Sequence, residues 1–202
     1  MSRAVVFDVG NVLIRWDARL IFESLLPDAA AVDAFLAEID FDAWNLEQDR
    51  GRTWDEGVAA LSAEHPARAE LIAAFRDRWQ ESVPGEIAGS VEILEDLRAA
   101  GVPLYAITNF SAEKWLESVA RFPFLASAFR DVVVSARERL VKPDPAIFEL
   151  CLRRNGLGAA DCVFVDDSAR NVASAAALGF DALLFTGPEA LRAALVARGL
   201  LA

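Results

Sequence analysis

A chain of 202 residues, 54% hydrophobic and 25% charged, is long enough for one sizeable globular core plus a small accessory unit. Its formal net charge of -11 argues against nucleic acid and anionic lipid as partners, because both are held by Lys and Arg. No apolar stretch approaches the roughly 18 to 20 residues that span a bilayer, and His65, the single histidine, excludes His-cluster zinc sites and argues against a Ser-His-Asp triad.

The first apolar run, Val5-Val6-Phe7, ends in Asp8 and a turn, Gly10-Asn11, before Val12-Leu13. It reads as a buried strand of a parallel sheet with Asp8 at its C-terminal end, where open α/β sheets bind ligands. By itself Asp8 is equally a turn-capping residue. Asp8 arrives too early for a signal-peptide core. Cys151 and Cys162 are isolated among apolar neighbours and read as reduced packing residues, so a cytoplasmic location is expected.

From Ala18 to about Trp79 the pattern is helical throughout. Pro27-Asp28 opens one helix, and Thr53-Trp54-Asp55-Glu56 is a capping box that opens another. A third runs from Ala67 to Trp79. Trp44, Trp54 and Trp79 are expected to pack a small core of this insertion, with Trp16 at its entry, and Val83-Pro84-Gly85 is the return hinge. His65, before Pro66, is expected in an exposed turn.

Strands and helices then alternate. The pattern predicts a helix over 87–100 stopped by Gly101, a strand over 103–108, and a helix over 112–121 capped by Ser111. A strand over 131–135 follows, then a helix opened by Asp144-Pro145. The last elements are a strand over 161–166, a helix over 169–178, a strand over 181–185 and a helix over 188–198. This alternation means right-handed βαβ units: an α/β chain with a parallel sheet covered on both faces and one all-helical insertion.

The strand ends carry the chemistry. The first strand ends in Asp8, the second in Thr108-Asn109; the third leads to Lys142-Pro143, and the fourth ends in Asp166-Asp167-Ser168. Taken singly, Thr108-Asn109 is a helix-start turn, Lys142 a surface lysine and Asp166-Asp167 a helix-capping pair. Together they bring a carboxylate, a hydroxyl, an amine and a carboxylate pair to one crevice. Clustered carboxylates repel unless protonated or coordinated, and Mg²⁺ favours such oxygen ligands together with a substrate phosphate. Asp8 could be both ligand and nucleophile, Thr108 could donate to phosphate oxygens, and Lys142 could balance the charge. A small anionic substrate is compatible with the acidic chain, since a local lysine or metal reverses the field.

Asp8-x-Gly10-Asn11-Val12, Thr108-Asn109, Lys142-Pro143 and Asp166-Asp167 resemble the four motifs of the haloacid dehalogenase superfamily, and the likeness spans essentially the whole chain. It implies a Rossmann-like doubly wound core of residues 1–16 and 84–202 with a helical cap over 17–83. It implies hydrolysis through a covalent intermediate on Asp8. Thr108, Asn109, Lys142, Gly10 and Asn11 would surround the phosphate. Asp8, Asp166, Asp167 and the Gly10 carbonyl would bind Mg²⁺, and Asn171 would support them. The partner implied is a small phosphorylated substrate, and the chain is expected as a monomer or homodimer.

One departure matters. Phosphatases of this family usually carry a second Asp two positions after the nucleophile as general acid, and here that position is Gly10. General acid catalysis is typically worth about 10² to 10⁴-fold. A phosphatase with a good leaving group, or with an acid from the cap or water, would manage without it. The Asp-x-Gly-Asn-Val pattern and the stretch Leu46-Glu47-Gln48-Asp49-Arg50-Gly51 are similar to bacterial sugar-1-phosphate phosphatases. A 2-haloacid dehalogenase needs neither acid nor metal, although it usually carries Ser and Asn in place of Asp166 and Asp167. A low-turnover phosphate-binding module is the third alternative. Trp16-Asp17 and Glu47-Asp49-Arg50 are the cap residues expected to face the substrate.

Overall fold

The computed structural model describes residues 3–202. Strand β1 (Ala4–Phe7) is buried at every position. The helical region follows as α1 (Arg19–Glu23), α2 (Ala29–Glu38), α3 (Phe41–Asp49), α4 (Trp54–Glu64) and α5 (Ala69–Asp77), with no strand among them. Then come α6 (Ala88–Ala99), β2 (Leu104–Thr108), α7 (Ala112–Arg121), α8 (Phe124–Ser127), β3 (Asp131–Val134) and α9 (Ser135–Glu138). The chain ends in α10 (Pro145–Asn155), β4 (Cys162–Asp166), α11 (Ala169–Ala177), β5 (Asp181–Leu184) and α12 (Pro188–Val196).

Local chemistry sets these boundaries. Asp28 caps α2 through Ala31 N–H, and Thr53 and Glu56 close a reciprocal capping box on α4. Ser111 and Asp144 cap α7 and α10, with Pro145 in the first turn of α10. Sequence periodicity missed α8 and α9, each a single turn too short to show a period. Ser135 opens α9 rather than ending β3, and Asp161 lies in a 3₁₀ turn before β4. His65 closes α4 half-buried rather than exposed.

The five strands lie in the order β3-β2-β1-β4-β5, all parallel. Period-two alternation divides β1: Val5 and Phe7 join the core under α6, α7 and α12, while Ala4 and Val6 join the core under α10 and α11. The sheet is thus a doubly wound α/β layer of Rossmann-like form. The chain leaves β1 towards β2 but leaves β4 towards β5. Neighbouring strands with diverging connections open a crevice at their carboxyl ends, and Asp8 and Asp166 stand on its two sides.

The cap tryptophans do not form a separate core. Phe22, Phe35, Phe41, Trp44, Trp54 and Phe75 interlock edge to face or stacked, and this cluster is continuous with the sheet's core. Trp54 Nε1–H donates to Ser111 Oγ at 2.8 Å, and Trp79 packs edge-on against Phe110. The two connections to the cap also run side by side. Arg15 N–H donates to Gly85 O, Asp17 N–H to Ser82 O, and Ile87 N–H to Leu13 O, each at 2.8 Å.

Candidate active site

Asp8 follows the last residue of the central strand. Its N–H still donates to Val165 O at 2.8 Å, and its Oδ1 accepts from Val9 N–H at 2.6 Å. The chain then turns sharply, with Asn11 in the left-handed region at φ +54°. Asn11 N–H donates to Ile14 O at 2.7 Å, and its side-chain oxygen accepts from Trp16 N–H at 2.9 Å. Asn11 therefore ties the turn to the cap entry and has only its side-chain NH₂ to offer a ligand. At Gly10 a Cβ would meet nothing within 4 Å, so the crevice is open there.

Lys142 is not a surface lysine. Its Nζ is buried between Asp8 Oδ1 at 2.8 Å and Asp166 Oδ2 at 2.7 Å. Asn109 fixes the backbone that carries it: Asn109 Nδ2 donates to Lys142 O at 3.0 Å, and Lys142 N–H donates to Asn109 Oδ1 at 2.8 Å. The Asn109 side chain is a strut for Lys142 and keeps one amide N–H beyond these two bonds. Asp166 accepts further from Ser168 N–H at 2.8 Å and from Asn171 Nδ2 at 3.0 and 3.1 Å. Asn171 thus supports the carboxylate one helical turn away. Thr108 Oγ1, at the end of β2, is buried without a hydrogen-bond partner. An unmade buried hydrogen bond costs about 1 to 3 kcal/mol, which a bound acceptor such as a phosphate oxygen would relieve.

One carboxylate oxygen each from Asp8, Asp166 and Asp167 lie within 4.8 Å of one another. A single ammonium leaves this cluster anionic, and an all-oxygen donor set suits a hard divalent cation such as Mg²⁺. Burial pushes the Asp8 carboxyl up, Lys142 opposes that shift, and Asp166 adds to it. Burial and then Asp166 likewise raise Asp167, which faces the opening. Lys142 itself is held charged by Asp8 and Asp166 against its own burial.

Above the cluster lies a cavity of about 250 Å³ between cap and sheet edge. The sheet side contributes Gly10, Asn11, Asn109, Phe110, Ser111 and Asp167, and Lys114 stands on α7. Trp16 comes from the entry to the cap, and the cap contributes Asn45, Asp49, Trp54 and Trp79. Of the residues expected to face the substrate, Trp16 and Asp49 line this cavity. Asp17 instead accepts from Arg19 N–H, and Glu47 pairs with the exposed Arg50 at 2.6 Å.

Three features escaped sequence reasoning. Ser135 Oγ donates to Asp49 O at 2.7 Å and accepts from Phe110 N–H at 2.8 Å, which joins cap to core. Lys114 Nζ is held by Arg76 O and Glu117, 5.8 and 5.9 Å from the Trp54 and Trp79 ring centres. Asn45 reaches the cavity from α3. Only their positions, a polar residue after a strand or inside a helix, hinted at any role.

A family model described as haloacid dehalogenase-like hydrolase matches residues 2–179. The chain is 27% identical to the sesquiterpene phosphatase of Aspergillus oryzae, over 91% of this chain and 90% of that protein. It is 27% identical to phosphoglycolate phosphatase 1 of Pseudomonas aeruginosa, over 89% of this chain and 67% of that protein. It is also 28% identical to acyl-CoA dehydrogenase family member 10 of Mus musculus, over 93% of its own length but only 18% of that protein. Among solved structures, a HAD-like family hydrolase from Porphyromonas gingivalis superposes with a TM-score of 0.76 at 23% identity, covering 98% of each chain. A HAD family enzyme from Bacteroides thetaiotaomicron, in complex with magnesium and inorganic phosphate, gives 0.72 at 21% identity, covering 93% and 96%. These superpositions establish the likeness of fold.

Proposed function

The chain belongs to the haloacid dehalogenase-like hydrolase family, and on that premise we propose that it is a magnesium-dependent phosphatase acting on a small phosphorylated metabolite through an aspartyl-phosphate on Asp8. The observation that carries this reading is the buried Asp8–Lys142–Asp166 chain of ion pairs beside Asp167 and the unpartnered Thr108 hydroxyl. A carboxylate able to act as nucleophile, an anion-balancing ammonium and a hard-cation donor set lie together at the carboxyl edge of the sheet.

In this reading residues 17–83 are the cap and 1–16 with 84–202 the catalytic core. Asp8, Asp166 and Asp167, with the Gly10 carbonyl, would hold Mg²⁺, which when bound neutralises charge developing on the phosphoryl oxygens. Lys142 favours the ionised form of Asp8 against its burial and balances the arriving phosphate. Thr108 Oγ1–H donates to a phosphoryl oxygen, and the free Asn11 amide is within the same cavity. Asn109 holds Lys142, and Asn171 holds Asp166. The cavity suits a metabolite-sized leaving group. Trp16, Trp54 and Trp79 offer apolar faces to a sugar ring and Asn45 a partner for its hydroxyls, so sugar phosphates head the substrate panel. The phosphatase relatives support the same class.

The test is hydrolysis of p-nitrophenyl phosphate and of a sugar-phosphate panel with Mg²⁺ and with EDTA. We expect Mg²⁺-dependent phosphate release that Asp8→Asn abolishes. Turnover indifferent to Asp8 or to EDTA sinks the proposal. Chloride released from 2-chloropropionate without metal would establish the dehalogenase alternative instead, and metal-dependent phosphate binding without turnover the binding module.

A further inference from the structure

If the chain is a phosphatase, its leaving group must leave without an acid at Gly10. An unprotonated alkoxide is a poor leaving group, so a proton donor belongs on the side of the phosphate away from Asp8. Two acidic residues line the cavity, Asp167 and Asp49. Asp167 belongs to the carboxylate cluster. Asp49 comes down from the cap at the C-terminal end of α3 and has no side-chain hydrogen bond or ion pair among the described residues. The Asp8 and Asp166 carboxylates and the Lys142 ammonium are tied to one another, whereas Asp49 is fixed only through its backbone.

That fixing is firm. Ser135 Oγ–H donates to Asp49 O at 2.7 Å across the cap–core boundary. Gly51, at φ +103°, turns the chain away immediately afterwards, and a Cβ there would lie 2.8 Å from Ala136 O. Glycine is what lets the end of α3 come so close to the core. Gly10, where a Cβ would meet nothing within 4 Å, and Asp49 line the same cavity, which has space for a leaving group.

We infer that Asp49 is the general acid of the reaction, a catalytic residue supplied by the cap in place of the acid that Gly10 lacks. This deepens the phosphatase reading and rests on it. As Asp8 attacks phosphorus and the bond to the leaving oxygen breaks, the Asp49 carboxyl proton passes to that oxygen. In the second half-reaction the Asp49 carboxylate takes a proton from the attacking water, the Asp8–phosphorus bond breaks, and phosphate leaves with Asp49 protonated again. Burial favours the protonated form at the start, pushing Asp49 up to about 7, with Lys142 opposing and Asp8 adding. The negative end of the α3 dipole acts in the same direction.

The test compares wild type with Asp49→Asn, in full-length protein with Mg²⁺, on 2,4-dinitrophenyl, p-nitrophenyl and phenyl phosphates. The kcat/KM ratio isolates the half-reaction in which the leaving group departs. We expect Asp49→Asn to lower it by about 10² to 10⁴-fold for phenyl phosphate, whose oxygen needs the proton. The 2,4-dinitrophenyl ester, whose oxygen does not, should be nearly unchanged. Equal loss across the series assigns Asp49 a structural role, and no loss on phenyl phosphate assigns the proton to another donor; either overturns the inference. Should Asp49→Asn not fold, Asp49→Ser with added formate serves: rescue of phenyl phosphate turnover supports the inference, and failure of rescue in folded enzyme rejects it. Glu47→Gln is the control expected to change nothing. If wild type hydrolyses none of the three esters, it is the phosphatase reading that fails. If turnover persists in Asp8→Asn, the same reading fails and Asp49 is not at fault.

Discussion

Lys142 derives its importance from two neighbours. Its ammonium lies within 2.8 Å of Asp8 and 2.7 Å of Asp166, both largely sealed from water. Removing one partner of a buried pair leaves uncompensated charge, which costs about 3 to 5 kcal/mol. Lys142→Met should therefore unfold at clearly lower urea, recover in part when Mg²⁺ is added, and lose phosphatase activity. A variant as stable as wild type without metal would show that the carboxylates do not depend on the ammonium. Asp49 makes a pH prediction for the metal-free protein. Its carboxyl is raised from 3.8 to about 7 in the fold, so the folded state binds more protons than the unfolded state between those values. Stability from this group is then greatest at low pH and is lost as pH rises through about 7. Asp49→Asn lacks that loss. Its stability relative to wild type should grow with pH by up to about 1.4 kcal/mol per unit across that window, measured by urea titration. A constant difference would mean that Asp49 is ordinary.

At the scale of elements, the end of α3 is one of the joints between cap and core. Two substitutions a short distance apart separate its functions. Gly51→Ala places a Cβ against Ala136 O in a conformation that side chains rarely adopt. We expect a loss of about 1 to 3 kcal/mol, together with a fall in kcat/KM, because the shift moves Asp49. Thr53→Ala removes the capping box of α4, two residues further on. It should cost about 0.5 to 2 kcal/mol with rates unchanged, since Thr53 is exposed and does not itself line the cavity. Matching rate losses in both variants would mean that any loosening of the cap impairs the enzyme, not the displacement of Asp49 in particular.

Across the whole molecule, the strand order β3-β2-β1-β4-β5 decides which residues meet at the carboxyl edge of the sheet. It puts the first strand in the middle and the diverging connections at its side, so residues more than 150 positions apart meet at one carboxylate cluster. Such a cluster repels itself until a cation arrives. Mg²⁺ at about 100 times its dissociation constant should stabilise the protein by about 2.7 kcal/mol, visible as a rise in melting temperature that EDTA reverses. A melting temperature indifferent to Mg²⁺ would remove the cluster from consideration as a metal site. No helix among the described residues is long and apolar enough to cross a membrane.

Period-two and helical patterning, caps and turn residues determined the α/β alternation, the helical insertion and the strand ends that carry Asp8, Thr108, Lys142 and Asp166. These are local signals, set by side-chain periodicity and by hydrogen bonds within a few residues, and a chain displays them without folding. Tertiary structure alone decided what those residues do to one another. It buried Lys142 between two carboxylates and turned Asn109 into its strut. It also merged the cap's aromatic cluster with the sheet core and left Asp49 facing the cavity unpaired while Glu47 and Arg50 paired outside. Burial, charge pairing and the close approach at Gly51 depend on which distant segments pack together, and that information lies in the topology, not in any short stretch of sequence.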